Sequence, residues 1–423
     1  MYSAKPQFLT WVLSALILLL TTINLNWPEK YSPSVIEADA KGYYAWLPAV
    51  FIYQDIHFGF FDTVEQKYLT PETWFDYRLQ VNRQTVNKYS VGTAFLELPF
   101  FLAAHLGSWI WGGPTDGYSY LYPVFISLAA LFYALAGLWL LGRILTRAGA
   151  GDTIVAIILP VLLFGTNLFY YAVIEPGMSH IYSFFLATCY LLLIQQWAQK
   201  TQAKTILAIA LVAGCIVLVR PMNVILLASF PLVIENEITF FRQIKDTGIR
   251  LLVPLLIFIA IAFIQPLLWY MQTGVLFIDT YPGEHFGPPH LFDFLFSFKK
   301  GAFLYTPILL IAVLGLLSLY HKSRFRAIYW FVYMLAVCII LSSWNNWWYG
   351  GSFSSRVLVE YLPLFALPLT TWLSQQKKRI PRLIILTVLV MLCQFQIYQY
   401  RYYLIHWEDT TRQQYFDNFL KLP

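Results

Sequence analysis

Glu37 and Asp39 stand two residues apart in the stretch EADAKGYYAWLPAVF. A carboxylate held against an apolar, amphipathic segment is a candidate general base. From the residues alone either acid can take that role, or both can be solvated loop acids. Arg220 in VLVRPMN and Arg356 in SSWNNWWYGGSFSSRVLVEY bring planar guanidinium forks of the shape that binds phosphate. Glu360 follows Arg356 by four residues, which on an α-helix puts the two on one face. Glu175 and His180 flank a Pro176–Gly177 break in FYYAVIEPGMSHIYSFF. Ionisable groups at a span entrance point to function, with a capping carboxylate and an interfacial histidine as the plainer alternative. Lys88, leading into NKYSVGTAFLELPFF, suits an anionic lipid headgroup and equally suits ordinary snorkelling.

Asn345, Asn346 and Tyr349 sit among three tryptophans before a Gly pair. Aromatic belts account for tryptophan at a membrane surface but not for adjacent amides and a glycine turn. Aromatic faces beside amide and hydroxyl groups are what a sugar ring requires, and Tyr43 and Tyr44, close behind the acids, offer more of the same. Glu284, His285 and His290 in TYPGEHFGPPHLFDF read as a Pro/Gly-rich lid, with too few convergent ligands for a metal.

These residues need elements to hold them, and the composition says which. The chain of 423 residues is 59% hydrophobic and 12% charged, and apolar runs near bilayer length recur along it. The expected fold is an all-α polytopic membrane protein. Its runs cover 8–23, read as a retained anchor, and centre on 119–142, 153–169, 178–197, 204–219, 223–236, 251–272, 302–320, 326–343, 357–373 and 382–403. A further run, Val91 to Trp111, is interrupted by Glu97, Pro99 and His105. If it does not cross, Lys5, Arg143, Arg147, Lys200, Lys204, Arg242, Lys245, Arg250, Lys322, Arg324, Arg326, Lys377, Lys378, Arg379 and Arg382 all fall in short loops on one side, as the positive-inside rule demands. The expectation is therefore eleven spans, N-terminus inside and C-terminus outside, with Val91 to Trp111 lying at or dipping into the outer face as a juxtamembrane helix. Of 22 Asp and Glu, only Asp152, Glu235, Glu237 and Asp246 then face the cytoplasm, so any chemistry is external. The chain reads as one domain over residues 1–423, with 24–118 as a long first outward segment and no separate soluble domain.

The net charge of +6 arises from the anchoring loops rather than a basic face, so no nucleic-acid partner is implied. The four cysteines, Cys189, Cys215, Cys338 and Cys393, lie in expected spans as small hydrophobes. No outward Asn-x-Ser/Thr sequon occurs, which favours a bacterial inner membrane. No Walker or Rossmann glycine pattern and no internal repeat is present, so neither ATP nor a dinucleotide is implicated.

In order and outward placement, DAKGYYAWLPAVF, KYSVGTAFLELPFF, EPGMSHIYSFF, RPMN and WWYGGSFSSR resemble segments of the GT-C superfamily of polytopic glycosyltransferases, in a bacterial subgroup related to the dolichyl-phosphate-mannose-type and lipopolysaccharide-core enzymes. The resemblance implies transfer of a monosaccharide from a polyprenyl-phosphate carrier to a glycan, lipid or protein hydroxyl, by inverting displacement at the outer face. It aligns Asp39, the acid just before GYY, with the family's catalytic carboxylate, and leaves Glu37 as the other candidate. Arg220, Arg356 and Lys88 would receive the donor phosphate; Tyr43, Tyr44, Glu175, His180, Asn345, Asn346, Tyr349 and Glu360 would line the substrate. The acidic motif is Glu-Ala-Asp rather than Asp-x-Asp, so a divalent metal is disfavoured and no cofactor is expected. A lipid-linked sugar flippase or a non-catalytic assembly protein is the alternative; a transporter would be expected to carry paired repeats and ionisable groups at mid-membrane.

Overall fold

The computed structural model describes residues 6–28, 32–68, 75–234, 237–375 and 380–422. Lys5, Glu235, Lys377, Lys378 and Arg379, which the charge pattern assigns to loops, lie outside them, as do the side chains of Glu237 and Arg250. The described residues are 72% helical. Its helices are α1 (Pro6–Asn26), α2 (Asp39–Phe51), α3 (Gly92–Ile110), α4 (Leu121–Arg147), α5 (Asp152–Gly165), α6 (Leu168–Val173), α7 (Ser179–Gln199), α8 (Ala203–Val219), α9 (Glu237–Thr247), α10 (Leu252–Ala262), α11 (Ile264–Thr273), α12 (Leu291–Phe296), α13 (Ala302–Tyr305), α14 (Ile308–Leu314), α15 (Leu316–Lys322), α16 (Arg324–Ser342), α17 (Leu362–Ser374), α18 (Ile380–Arg401) and α19 (Arg412–Asn418). Two 3-10 segments matter to the site: Pro221–Val233 continues α8 past Arg220, and Arg356–Tyr361 leads into α17. A small hairpin, β1 (Arg78–Val81) and β2 (Gln84–Asn87), pairs Val81 with Gln84 across a turn whose Asn82 and Arg83 have φ of 52° and 64°. Positive φ at both turn residues matches the strand twist of a two-residue hairpin.

The chain is an all-α polytopic membrane protein. Among the described residues seven helices are long and apolar enough to cross a bilayer, or eight with α10 and α11 taken as one bent span. The 41° bend between that pair has a local cause. Pro266 has no N–H to donate, and its ring opposes the carbonyl of Ala262, the last residue of α10. The remaining expected runs fall on shorter apolar helices at 152–165, 203–219, 221–233 and 308–322.

By length and hydropathy α3 also qualifies as a span, which the sequence reading did not expect. Its contacts place it more narrowly. Tyr133 donates to the Leu96 carbonyl at 2.8 Å, Phe100 packs on Phe132 and Tyr133, and His105 Nδ1 lies 2.7 Å from the Tyr122 hydroxyl. So α3 runs antiparallel along the first half of α4, and these contacts stop well short of Arg143.

The bundle has two chemically distinct ends. At one, the basic loops meet: Lys322 donates to the Ala148 carbonyl at 2.9 Å, Arg326 to Ile234 at 3.2 Å, Gln243 to Ala198 at 2.6 Å and Gln375 to Ser318 at 2.9 Å. At the other lie the start of α2, the turn before α7, the end of α8 and the segment before α17. Between the ends, α4 and α7 pack through Tyr133 on Tyr182 and Phe185, with ring centroids 5.3 and 5.0 Å apart.

Candidate functional site

The acidic motif opens on a strained residue. Ala38, between Glu37 and Asp39, has φ 46° and ψ −129° and precedes α2, a conformation that costs an alanine about 1–3 kcal/mol. It turns the chain so that Asp39 enters the first turn of α2, where the helix dipole favours an anion. One turn on, a Cβ on Gly42 would stand 2.0 Å from Tyr89 Cδ2. Only a glycine lets Tyr89 lie flat on α2. There its ring meets Tyr43 at 4.8 Å and its hydroxyl donates to Asp39 Oδ1 at 2.6 Å. Gly177 does the same for the turn before α7: a Cβ there would meet Ala40 Cβ at 2.7 Å and the Val35 carbonyl at 2.8 Å. That close approach brings Glu175 beside the acidic motif.

Arg356 reaches across to the other oxygen of Asp39, with Nη2 2.9 Å from Oδ2. This corrects the expected Arg356–Glu360 pairing. Residues 356–361 form a 3-10 helix rather than an α-helix, and at three residues per turn positions four apart point about 120° away from each other. Glu360 instead forms an ion pair with Arg220, Nε to Oε1 at 3.4 Å, and its carboxylate oxygens lie 3.2 and 3.3 Å from His180 Nδ1. Arg220 Nη1 also stands 3.3 Å from Ser179 Oγ and 3.3 Å from His180 Nε2. These neighbours assign the imidazole proton to Nδ1. His180 is fully buried, and its ring meets Tyr171 at 4.9 Å.

The other expected residues divide. Tyr43 is buried inside the cluster, its ring on Tyr89 and its hydroxyl in the field of Arg220, Asp39 and Arg356. Lys88 rests on three aromatic rings, Phe75 at 4.6 Å, Tyr89 at 5.2 Å and Tyr281 at 5.9 Å, where its charge acts on Asp39. Tyr349 donates to the Leu341 carbonyl at 2.9 Å and has Arg220, Arg356, Glu360 and Glu284 as its charged neighbours. Glu175 accepts from Tyr170 at 2.8 Å. Asn346 presents a buried Oδ1 that no described group satisfies. Two residues do other work. Tyr44 donates to the Gly117 carbonyl and packs on Phe101 and Tyr118, between α2 and α3. Asn345 exchanges backbone and side-chain bonds with His285 and Gly283 at 3.0 to 3.4 Å, fastening the 274–290 loop.

The acids differ in charge. Burial pushes Glu37 up to about 7, with Lys41 opposing and Glu175 adding to the shift. Burial likewise raises Glu175 to about 7 against the Tyr170 hydrogen bond and the charge of Arg356. At Asp39 burial also raises the pKa, but Arg356, the Tyr89 hydroxyl, Lys88 and Arg220 together outweigh it and hold the carboxyl below its ordinary value. Asp39 is the ionised acid of the motif, and Glu37 and Glu175 keep a proton to near neutrality. Behind α2, a second cluster sets Glu65 against Tyr77 and Tyr118, whose hydroxyls donate at 2.8 and 2.6 Å. Burial lifts Glu65 to about 7 too, and lowers Lys41 beside it.

Arg356 Nε and the hydroxyls of Tyr171 and Tyr361 are buried without a hydrogen-bond partner among the described residues. Such atoms normally mark a place for water or ligand. Among the described residues no three His, Cys, Asp or Glu side chains converge as metal ligands would. Tyr89, Ser179 and Tyr171 were not expected as site residues, although all three lie inside motifs quoted from the sequence. Lys300 carried no local signal at all. It is 2% exposed, and burial lowers its pKa to about 7. No family model, curated protein or solved structure matches this chain.

Proposed function

We propose that the chain is a GT-C-like membrane glycosyltransferase that moves a monosaccharide from a polyprenyl-phosphate donor to an acceptor hydroxyl. The observation that carries the reading is the Asp39 carboxylate held between Tyr89 and Arg356, with Arg220 and Lys88 close by. One ionised base ringed by three cations suits a reaction that removes a proton at one atom while negative charge grows on a departing phosphate.

In that reaction the acceptor oxygen bonds to the anomeric carbon from the face opposite the phosphate, and the carbon–oxygen bond to phosphate breaks. The acceptor proton goes to Asp39, and the phosphate leaves with the electron pair, so the configuration inverts. In the free site Arg356 makes Asp39 a weak base. As charge builds on the phosphate the guanidinium is drawn to it, through Nη2 and the otherwise unpartnered Nε. The proton affinity of Asp39 then rises in step with bond breaking.

A lipid carrier fits a second feature. An apolar cavity of about 140 Å³ is lined by Leu291, Leu295, Phe303, Met334, Cys338 and Leu358 among others, between α12, α16 and the 356–361 segment. Leu358 shares that short segment with Arg356 and Glu360, so an isoprenyl chain lying there has its phosphate within reach of both arginines.

The same reading places the site on the outer face of a bacterial inner membrane, with eleven spans and α3 dipping into that face. In support, the basic loops gather at the opposite end of the bundle, and the contacts of α3 with α4 stay in the half of α4 nearest the site.

Purified protein given candidate polyprenyl-phosphate sugars and crude acceptor is expected to release polyprenyl phosphate. Asp39→Asn should lower release by roughly 100-fold or more, within the range for loss of a general base, and Glu37→Gln should be milder. Intact sugar-lipid crossing a vesicle membrane, with no release from any donor, would establish a flippase instead.

A further inference from the structure

We propose that Lys300 is a positioning residue that clamps the segment presenting Arg356 between the 294–300 turn and the tail beyond α18. The proposal rests on the glycosyltransferase reading for its effect on turnover, while the clamp itself is a matter of geometry.

Lys300 is a buried lysine that meets no carboxylate within ion-pair distance among the described residues. Its Nζ donates to the carbonyls of Ser352 and Trp407 and lies 4.9 Å above the Tyr400 ring. The Trp407 carbonyl also accepts from the Tyr400 hydroxyl at 2.8 Å and from the Ser352 amide at 3.3 Å. Three elements far apart in the chain therefore converge on one carbonyl. A buried ammonium loses its hydration, and that loss is tolerated only where strong acceptors replace water.

The clamped segment is one that needs holding. Tyr349 and Ser354 have φ of 57° and 60°, a left-handed conformation that persists in non-glycine residues only where the surroundings over-determine it. Ser355, directly before Arg356, places its hydroxyl 3.1 Å from the carbonyls of both Phe294 and Lys300. Lys299 adds a parallel strap, with Nζ 3.5 Å from the Trp348 ring centroid, and Trp348 Nε1 donates to Glu408 at 3.0 Å. None of these contacts touches Asp39, Arg220 or His180. Their shared product is the position of residues 348–355, and hence the point from which Arg356 reaches Asp39.

By analogy, groups that orient the ligands of a metal centre carry about 10- to 100-fold in affinity or activity. Lys300→Met is expected to speed amide hydrogen exchange in 349–355 and 405–409 by about tenfold or more while leaving α7 and α16 unchanged. It should lower polyprenyl-phosphate release by about 10- to 100-fold. Lys300→Arg, which can still donate to two carbonyls, should restore most of both. In Lys300→Met combined with Arg356→Ala, release should be no lower than in Arg356→Ala alone, because both changes remove the same interaction. Unchanged exchange in 349–355, or fully additive losses in the double variant, overturns the proposal. If Lys300→Met does not accumulate, Lys300→Gln carries the same comparison. Faster exchange in a protein whose wild type turns over no donor would sink the enzyme reading and leave the clamp standing.

Discussion

Arg356 Nη2 stands 2.9 Å from Asp39 Oδ2, and each of these side chains is mostly buried, 14% and 20% exposed. The start of α2 and the entrance to α17 are thereby joined by an ion pair. Its two members are also the groups that the proposed reaction would separate.

Removing the guanidinium should therefore do more than weaken phosphate binding. Arg356→Ala is expected to reduce donor turnover by about a hundredfold or more, matching loss of one donor to a developing anion. Arg356→Lys should restore only part of it, because an ammonium cannot serve Asp39 and phosphate through two separate edges. The pH–rate profile of the alanine variant should move to higher pH, as Asp39 loses its strongest electrostatic partner. A profile that stays in place would separate Arg356 from the titration of Asp39.

Gly42→Ala tests the support beneath the base. The added Cβ would fall 2.0 Å from the Tyr89 ring, so the ring must move and its 2.6 Å bond to Asp39 must lengthen or break. Overpacking of this kind costs about 1–3 kcal/mol in stability. Turnover should fall by about tenfold or more while the protein still folds. Wild-type turnover in a folded Gly42→Ala protein would show that Tyr89 is dispensable.

Stability should have a minimum near neutral pH. Unfolded, Glu37, Glu65 and Glu175 would release protons near 4.5, whereas folded they hold them to about 7. What they add is fully present below about 4.5 and is lost as pH rises through 7. Lys300 is shifted the other way, from 10.5 to about 7, and Lys41 is also lowered. Between 7 and 10.5 the folded chain binds fewer protons there than the unfolded one, so stability climbs again. The thermal midpoint in detergent should fall from pH 5 to 7 and recover toward pH 9, and Glu65→Gln should flatten the descending limb. A midpoint that rises steadily from pH 5 to 7 would contradict these assignments.

Topology can be read with reporter fusions. Fusions at Gly149, Lys200 and His321 should report cytoplasm, and those at Thr115 and Pro288 the outside, since α3 keeps to the site half of α4. Thr115 in the cytoplasm with Gly149 outside would make α3 a true span.

Helices were legible in the sequence because their cause is local. A backbone in hydrocarbon must satisfy its own hydrogen bonds, so an apolar run of bilayer length has no choice but to coil. The pairing of acids with bases was not legible. Arg356 and Glu360 look like partners at a spacing of four, until the 3-10 turn points them to Asp39 and to Arg220 with His180. Lys300 sits at a loop end like any solvated lysine; its burial comes from Ser352 and Trp407, 52 and 107 residues away. Residue types, spacing and apolar length set the elements and nominated most of the site. Which charge meets which, and where the α3 helix lies, depended on distances between segments remote in the chain, and those exist only once the bundle has packed.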